Sequence, residues 1–134
     1  MQKEIISNVN LTIAKLELKQ LEVIDKLSRQ KSDEHIIRCV TCPDTNEFIA
    51  VNGDWEKVIG INEYDCIGKS IFDFMPEYEK ERATIQANKI LDTTEFDSFV
   101  CDLVDDKGCS VSVDWKAKYF PKINATVSIG RVKK

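Results

Sequence analysis

Cys109-Ser110-Val111-Ser112-Val113-Asp114-Trp115-Lys116-Ala117-Lys118-Tyr119 alternates almost without fault between apolar and polar residues. Side chains on a strand point to opposite faces in turn. Cys109, Val111, Val113, Trp115, Ala117 and Tyr119 therefore share one face, and Ser110, Ser112, Asp114, Lys116 and Lys118 the other. That pattern describes a half-buried antiparallel strand. Just before it, Asp105-Asp106-Lys107-Gly108 reads as a hairpin turn, with Phe96 to Val104 as the strand that enters it. Just after it, Pro121 to Asn124 turns the chain. Ala125, Val127 and Ile129 then alternate with Thr126 and Ser128 in a last strand, whose apolar set is expected to face the core.

Upstream, Ile36 to Cys42 is β-branched and apolar and reads as a strand. Pro43-Asp44-Thr45-Asn46 makes a turn, since Pro supplies the fixed φ and Asp and Asn bond their own backbone. Phe48 to Val51 returns as the second strand of a hairpin, broken by Asn52-Gly53-Asp54. Asp54 is placed to cap a short helix, Trp55 to Ile59, which Gly60 stops. Asn62 and Glu63 open a further helical turn that Gly68 ends, and Ser70 to Met75 forms another before Pro76. Glu77 to Leu91 is a charged helix with Ala83, Ile85, Ala87, Ile90 and Leu91 on its apolar side. The order predicts an α+β fold. It is a five-stranded antiparallel sheet, with short helices plus one longer helix on one side, preceded by a long amphipathic N-terminal helix.

That first helix is expected from about Gln2 to Lys31, a stretch with no Gly and no Pro. Ile6, Val9, Ile13, Leu16, Gln20, Val23 and Leu27 are spaced alternately three and four apart, the seam of a coiled coil. Leu11, Ala14, Leu18 and Leu21 form a second stripe nearly opposite. A lone surface helix needs one apolar stripe, so two stripes predict two partners, the body of the domain and a second chain. Gln20 weakens the seam but can fix its register. Which stripe meets which partner is open at this point. The chain divides into 1–34, the dimerisation helix, and 35–134, the sheet domain.

The length of 134 residues suits one domain with a modest core, and 43% apolar with 31% charged residues is an ordinary globular balance. A net charge of −4 with no basic stripe argues against a nucleic-acid partner. Apolar runs of only a few residues argue against a membrane span, and the first residues lack the apolar core of a signal peptide. Five cysteines, an odd number, fit reduced thiols and a cytoplasmic location.

At this point the chain from Ile36 to Val132 resembles a PAS domain. The resemblance rests on Phe48-Ile49-Ala50-Val51-Asn52-Gly53-Asp54-Trp55-Glu56-Lys57-Val58-Ile59-Gly60, similar to the family's strand, Asn, short helix and Gly. It rests further on Ile67-Gly68-Lys69-Ser70 with Phe72 and Met75 behind it, on the Asp106-Lys107-Gly108 turn, and on Val113-Asp114-Trp115-Lys116-Ala117. It implies a sensory or interaction module that often holds a small ligand between sheet and helices. It also implies dimerisation, often through an N-terminal flanking helix that signals to an effector such as a kinase, cyclase or regulator, in cis or in trans. On that basis the candidate walls of a ligand cavity are Phe72, Phe74, Met75, Ile85, Phe99, Cys101, Val113, Trp115, Val127 and Ile129. Asn52 reads as a structural turn residue, and Trp115 as core or cavity wall. The family usually ends on Gly-Arg-Asp, whereas here Gly130-Arg131 is followed by Val132. A fragment and a free-standing protein are both compatible with that ending.

The family's haem binders use a His on the long helix, and its flavin photoreceptors a reactive Cys at that helix's start. Glu77 to Leu91 holds no His, and Pro76 to Arg82 no Cys, so neither haem nor covalent flavin chemistry fits, and the identity of any cofactor is open. The single His, His35, reads as an exposed linker residue. Cys39-Val40-Thr41-Cys42 is a C-x-x-C, but a redox pair belongs at a helix start and a zinc site needs a second such pair. No nucleophile has a matched base and no glycine-rich phosphate loop is present, so the chain is expected not to be an enzyme. The leading reading is a PAS sensory module that binds a small ligand or a partner and signals as a homodimer. A ligand-free PAS interaction module is the alternative, and a thiol-redox protein using Cys39 and Cys42 is a second.

Overall fold

The computed structural model describes Leu16 and residues 34–93 and 95–133. The long helix expected at the N-terminus, and with it Ile6, Val9, Ile13, Gln20, Val23 and Leu27, lies outside the described residues except for Leu16. The rest runs β1 (Glu34–Thr41), β2 (Phe48–Gly53), α1 (Trp55–Ile59), α2 (Glu63–Cys66), a 3-10 turn (Ile71–Phe74), α3 (Glu77–Ile90), β3 (Asp97–Val104), β4 (Ser110–Phe120) and β5 (Ala125–Lys133). The five strands form one sheet in the order β2-β1-β5-β4-β3, and every neighbouring pair is antiparallel. The expected α+β architecture is therefore the observed one.

One face of the sheet carries the main core. Ile37 and Cys39 of β1, Cys101 and Leu103 of β3, and Val113 and Trp115 of β4 meet Trp55, Val58 and Ile59 of α1, Cys66 of α2, Phe74, and Ala83 of α3. Trp55 is fully buried, and its indole Nε1–H donates to the Arg38 carbonyl at 3.0 Å. Its ring stands edge-on to Phe48, with centroids 5.3 Å apart and planes at 76°, a favoured aromatic arrangement. Asp54 occupies the N-cap position of α1 but makes no capping bond. Its Oδ2 instead lies 3.3 Å from His35 Nδ1 and accepts the Ile36 N–H, tying the end of β2 to the start of β1. His35 is thus part of β1 with a side chain only 17% exposed, not the exposed linker residue that its polar neighbours suggested. The Asn52 Oδ1 accepts from Arg38 Nη1 at 3.0 Å across the β1–β2 pair.

The parity of β5 is the opposite of the expected one. Gly130 lies directly across from Trp115, which fixes Thr126, Ser128 and Gly130 on the helix side. Val127 therefore points to the outer face, where it packs with Val40, Ala50, Ile123 and Ala125, and Ile129 shares that side. No described helix lies on this outer face, since the buried residues of α1 and α2 and Ala83 of α3 all belong to the opposite core.

Both edge strands are bonded in part by other segments. At β3, the buried Glu79 carboxylate of α3 accepts the Asp102 N–H at 2.6 Å, and Arg82 Nη2 donates to the Val100 carbonyl at 2.7 Å. Arg82 also grips Glu79 through Nε and Nη2 at 2.8–2.9 Å. At β2, the Phe48 N–H donates to the Lys69 carbonyl and its own carbonyl accepts the Gly68 N–H.

Candidate functional site

A partly open cavity of about 90 Å³ lies between α3 and the helix-side face of the sheet. Its floor is Thr41 of β1, Thr126 and Ser128 of β5, and Ala117 of β4. Ile71, Phe72 and Met75 close one side, Phe99 of β3 another, and Ala83, Thr84, Ala87 and Asn88 of α3 the roof. The space exists because small side chains meet across it. Ala83 and Ala87 are one helical turn apart, and β5 presents hydroxyls where larger residues would fill the gap. A second hollow of about 210 Å³, between Gly53, Trp55, Glu56, Asn62, Glu63 and Tyr64, is an open surface depression and lacks an apolar enclosure of this kind.

Of the ten residues read from sequence as cavity walls, Phe72, Met75 and Phe99 line this space. Phe74, Cys101, Val113 and Trp115 face the same side of the sheet but are consumed by the core. Val127 and Ile129 are corrections, because the parity of β5 puts them on the other face. Ile85 is also a correction. It is 64% exposed, because α3 lies toward the β3 edge and turns Glu79, Ala83 and Ile90 inward instead. Sequence reasoning missed Thr41, Thr126 and Ser128, whose polarity argued against an inward position. The signal available was the bulk of Trp115, which requires a small residue opposite.

All five cysteines are free. β1 ends at Thr41, so Cys39 is on the strand and Cys42 beyond it. Burial pushes the Cys39 thiol up to about 12, the reverse of what a redox pair requires. Burial, and secondarily the Glu79 carboxylate, push Cys101 up to about 12 as well. Iodoacetamide at pH 8 is therefore expected to modify exposed Cys109 quickly in the folded protein. Cys39 and Cys101 should react only on unfolding in urea. Peptide mapping after timed quenching checks this, and rapid labelling of native Cys39 would revive the redox reading. Among the described residues, no group of three or more His, Cys, Asp or Glu side chains could hold a metal ion.

With this geometry in view, likeness to solved structures is informative. The PAS domain of an HTR-like protein from Haloarcula marismortui superposes with a TM-score of 0.60 at 17% identity, covering 90% of this chain and 98% of that one. The fold is the PAS fold. The PAS domain of the Cronobacter turicensis RpfR quorum-sensing receptor, in complex with C12:0, matches at a TM-score of 0.59 and 16% identity over 75% of this chain and 94% of that one. Drosophila melanogaster Cycle PAS-B with bound ethylene glycol matches at 0.61 and 11% identity over 72% and 96%. No protein-family model and no curated protein matches the sequence. Identities this low carry the PAS architecture and no more. No helix among the described residues is long and apolar enough to cross a membrane.

Proposed function

We propose that this chain is a PAS sensory module in which a small molecule in the α3 cavity biases how the domain packs, and a dimer formed through residues 1–33 reports the change. The cavity over Thr41, Thr126 and Ser128 is the observation that carries the reading. A ligand acts here only through its difference in affinity between two packings, and no catalytic step is required. RpfR with C12:0 and Cycle PAS-B with ethylene glycol are precedents for small molecules bound to this fold. The effector is a kinase, cyclase or regulator, in cis or in trans. The net charge of −4 favours protein and small-molecule partners over nucleic acid or anionic membrane, and five free cysteines fit the cytoplasm.

Two features support the signalling helix. Ile36, Val127 and Ile129 on the outer face are buried, yet no described helix lies there. The helix expected from the sequence ahead of Glu34 is the partner proposed for that face, through Leu11, Ala14, Leu18 and Leu21. Leu16, on the other stripe, is helical and 58% exposed, as a residue reserved for a second chain would be. Native mass spectrometry of the whole chain tests both parts together. The expected result is a dimer, with Leu16→Glu weakening association at least about tenfold because a charge enters the apolar seam. A strict monomer at high micromolar concentration would overturn the dimer. A dimer that accepts no small molecule would leave the interaction module as the function.

A further inference from the structure

Resting on the cavity as a ligand site, we infer that its ligand is a small uncharged molecule carrying a hydroxyl or carboxamide on a compact apolar body. Among the described residues that line the cavity, none is charged, and none is a histidine. The polar lining is instead hydroxyl and amide, and three of its hydroxyls sit together on the sheet floor. Thr41 and Thr126 are direct cross-strand partners, and Ser128 is the next helix-side residue along β5. Asn46, from the β1–β2 turn, lines the same cavity, as does Asn88 of α3.

Hydroxyls and carboxamides both donate and accept hydrogen bonds. They match a ligand group that does the same. A carboxylate entering here finds no cation, and an ammonium no anion, and an unpaired buried charge is strongly disfavoured. Phe72, Met75 and Phe99 supply the apolar wall. A cavity of about 90 Å³ restricts the enclosed part to a handful of non-hydrogen atoms, since benzene occupies an engineered cavity of about 150 Å³.

The test uses four probes of equal chain length, 1-butanol, butyramide, butyrate and butylammonium, titrated at pH 7 into the whole chain and followed by amide NMR. Saturable shifts at Thr41, Ala87, Thr126 and Ser128 are expected with butanol and butyramide. The two ions should bind at least about tenfold more weakly. Thr126→Val keeps the shape and removes the hydroxyl, so it should weaken butanol severalfold and leave benzene unaffected. Thr41→Val repeats that comparison on the adjacent strand. An ion that binds as well as butanol, or two valine variants that change nothing, would overturn the uncharged ligand while leaving the cavity a binding site. Saturation by none of the four would take down the site itself, and this inference with it.

Discussion

Trp55→Ala is expected to destabilise the domain by about 3–5 kcal/mol, the range for removing a large aromatic side chain from a core. Trp55 is fully buried, sits edge-on to Phe48, and reaches through its indole N–H to the Arg38 carbonyl. It is the residue by which α1 holds two strands at once. Trp55→Phe should recover most of the apolar term and lose the hydrogen bond, about 1 kcal/mol or somewhat more because the carbonyl is buried. Urea unfolding of the three proteins checks the order, wild type over phenylalanine over alanine. A loss below about 1 kcal/mol for the alanine variant would show that α1 is not part of the cooperative core.

The second large effect is an addition. A Cβ at Gly130 would lie 2.6 Å from Val113 Cγ1 and 3.0 Å from the Trp115 ring. Both neighbours are buried and cannot swing into solvent. Overpacking of this kind costs about 1–3 kcal/mol, and Gly130→Ala is expected near the upper end because β5 is the central strand. Val113→Ala removes one of the clashing groups. In the double variant the two losses should add to clearly less than their sum, a coupling of about 1 kcal/mol in a double-mutant cycle. Full additivity would mean that the strand shifts instead, relieving the clash through its backbone.

These two positions also show where reading the sequence stops. The alternation from Val111 to Tyr119 identifies β4 and its core face correctly, because one of its faces is plainly polar, whereas Cys109, read as the first core-face residue, lies before β4 and is exposed. The same rule misassigns β5. Ala125, Val127 and Ile129 are its apolar set, but the outer face under them is itself buried, while the inner face is kept small by Trp115 and open by the cavity. Alternation tells which residues share a side, and it tells which side is core only when the other side is wet. On α3 the charged residues mislead in a different way. Glu79 takes a buried position because it satisfies the Asp102 N–H and is held by Arg82, a spacing of three visible in the sequence but meaningless until β3 is known to be an edge. The PAS order of elements was legible because turns and glycines punctuate it. The cavity was only partly legible, since it depends on what is missing between elements as much as on what is present.

The partly bonded sheet edges have a consequence for assembly. A strand with unpaired N–H and C=O groups is a template onto which another chain can add, and many β proteins oligomerise or form fibrils that way. Here Glu79 and Arg82 stand in for a sixth strand beside β3, and the segment at Gly68 and Lys69 does so beside Phe48 in β2. A strand added beside Val100 and Asp102, or beside Phe48, would first have to prise α3 or that segment away. Recognition through side chains on faces and helices carries no such cost, and there a single substitution changes specificity, whereas the backbone is the same in every protein.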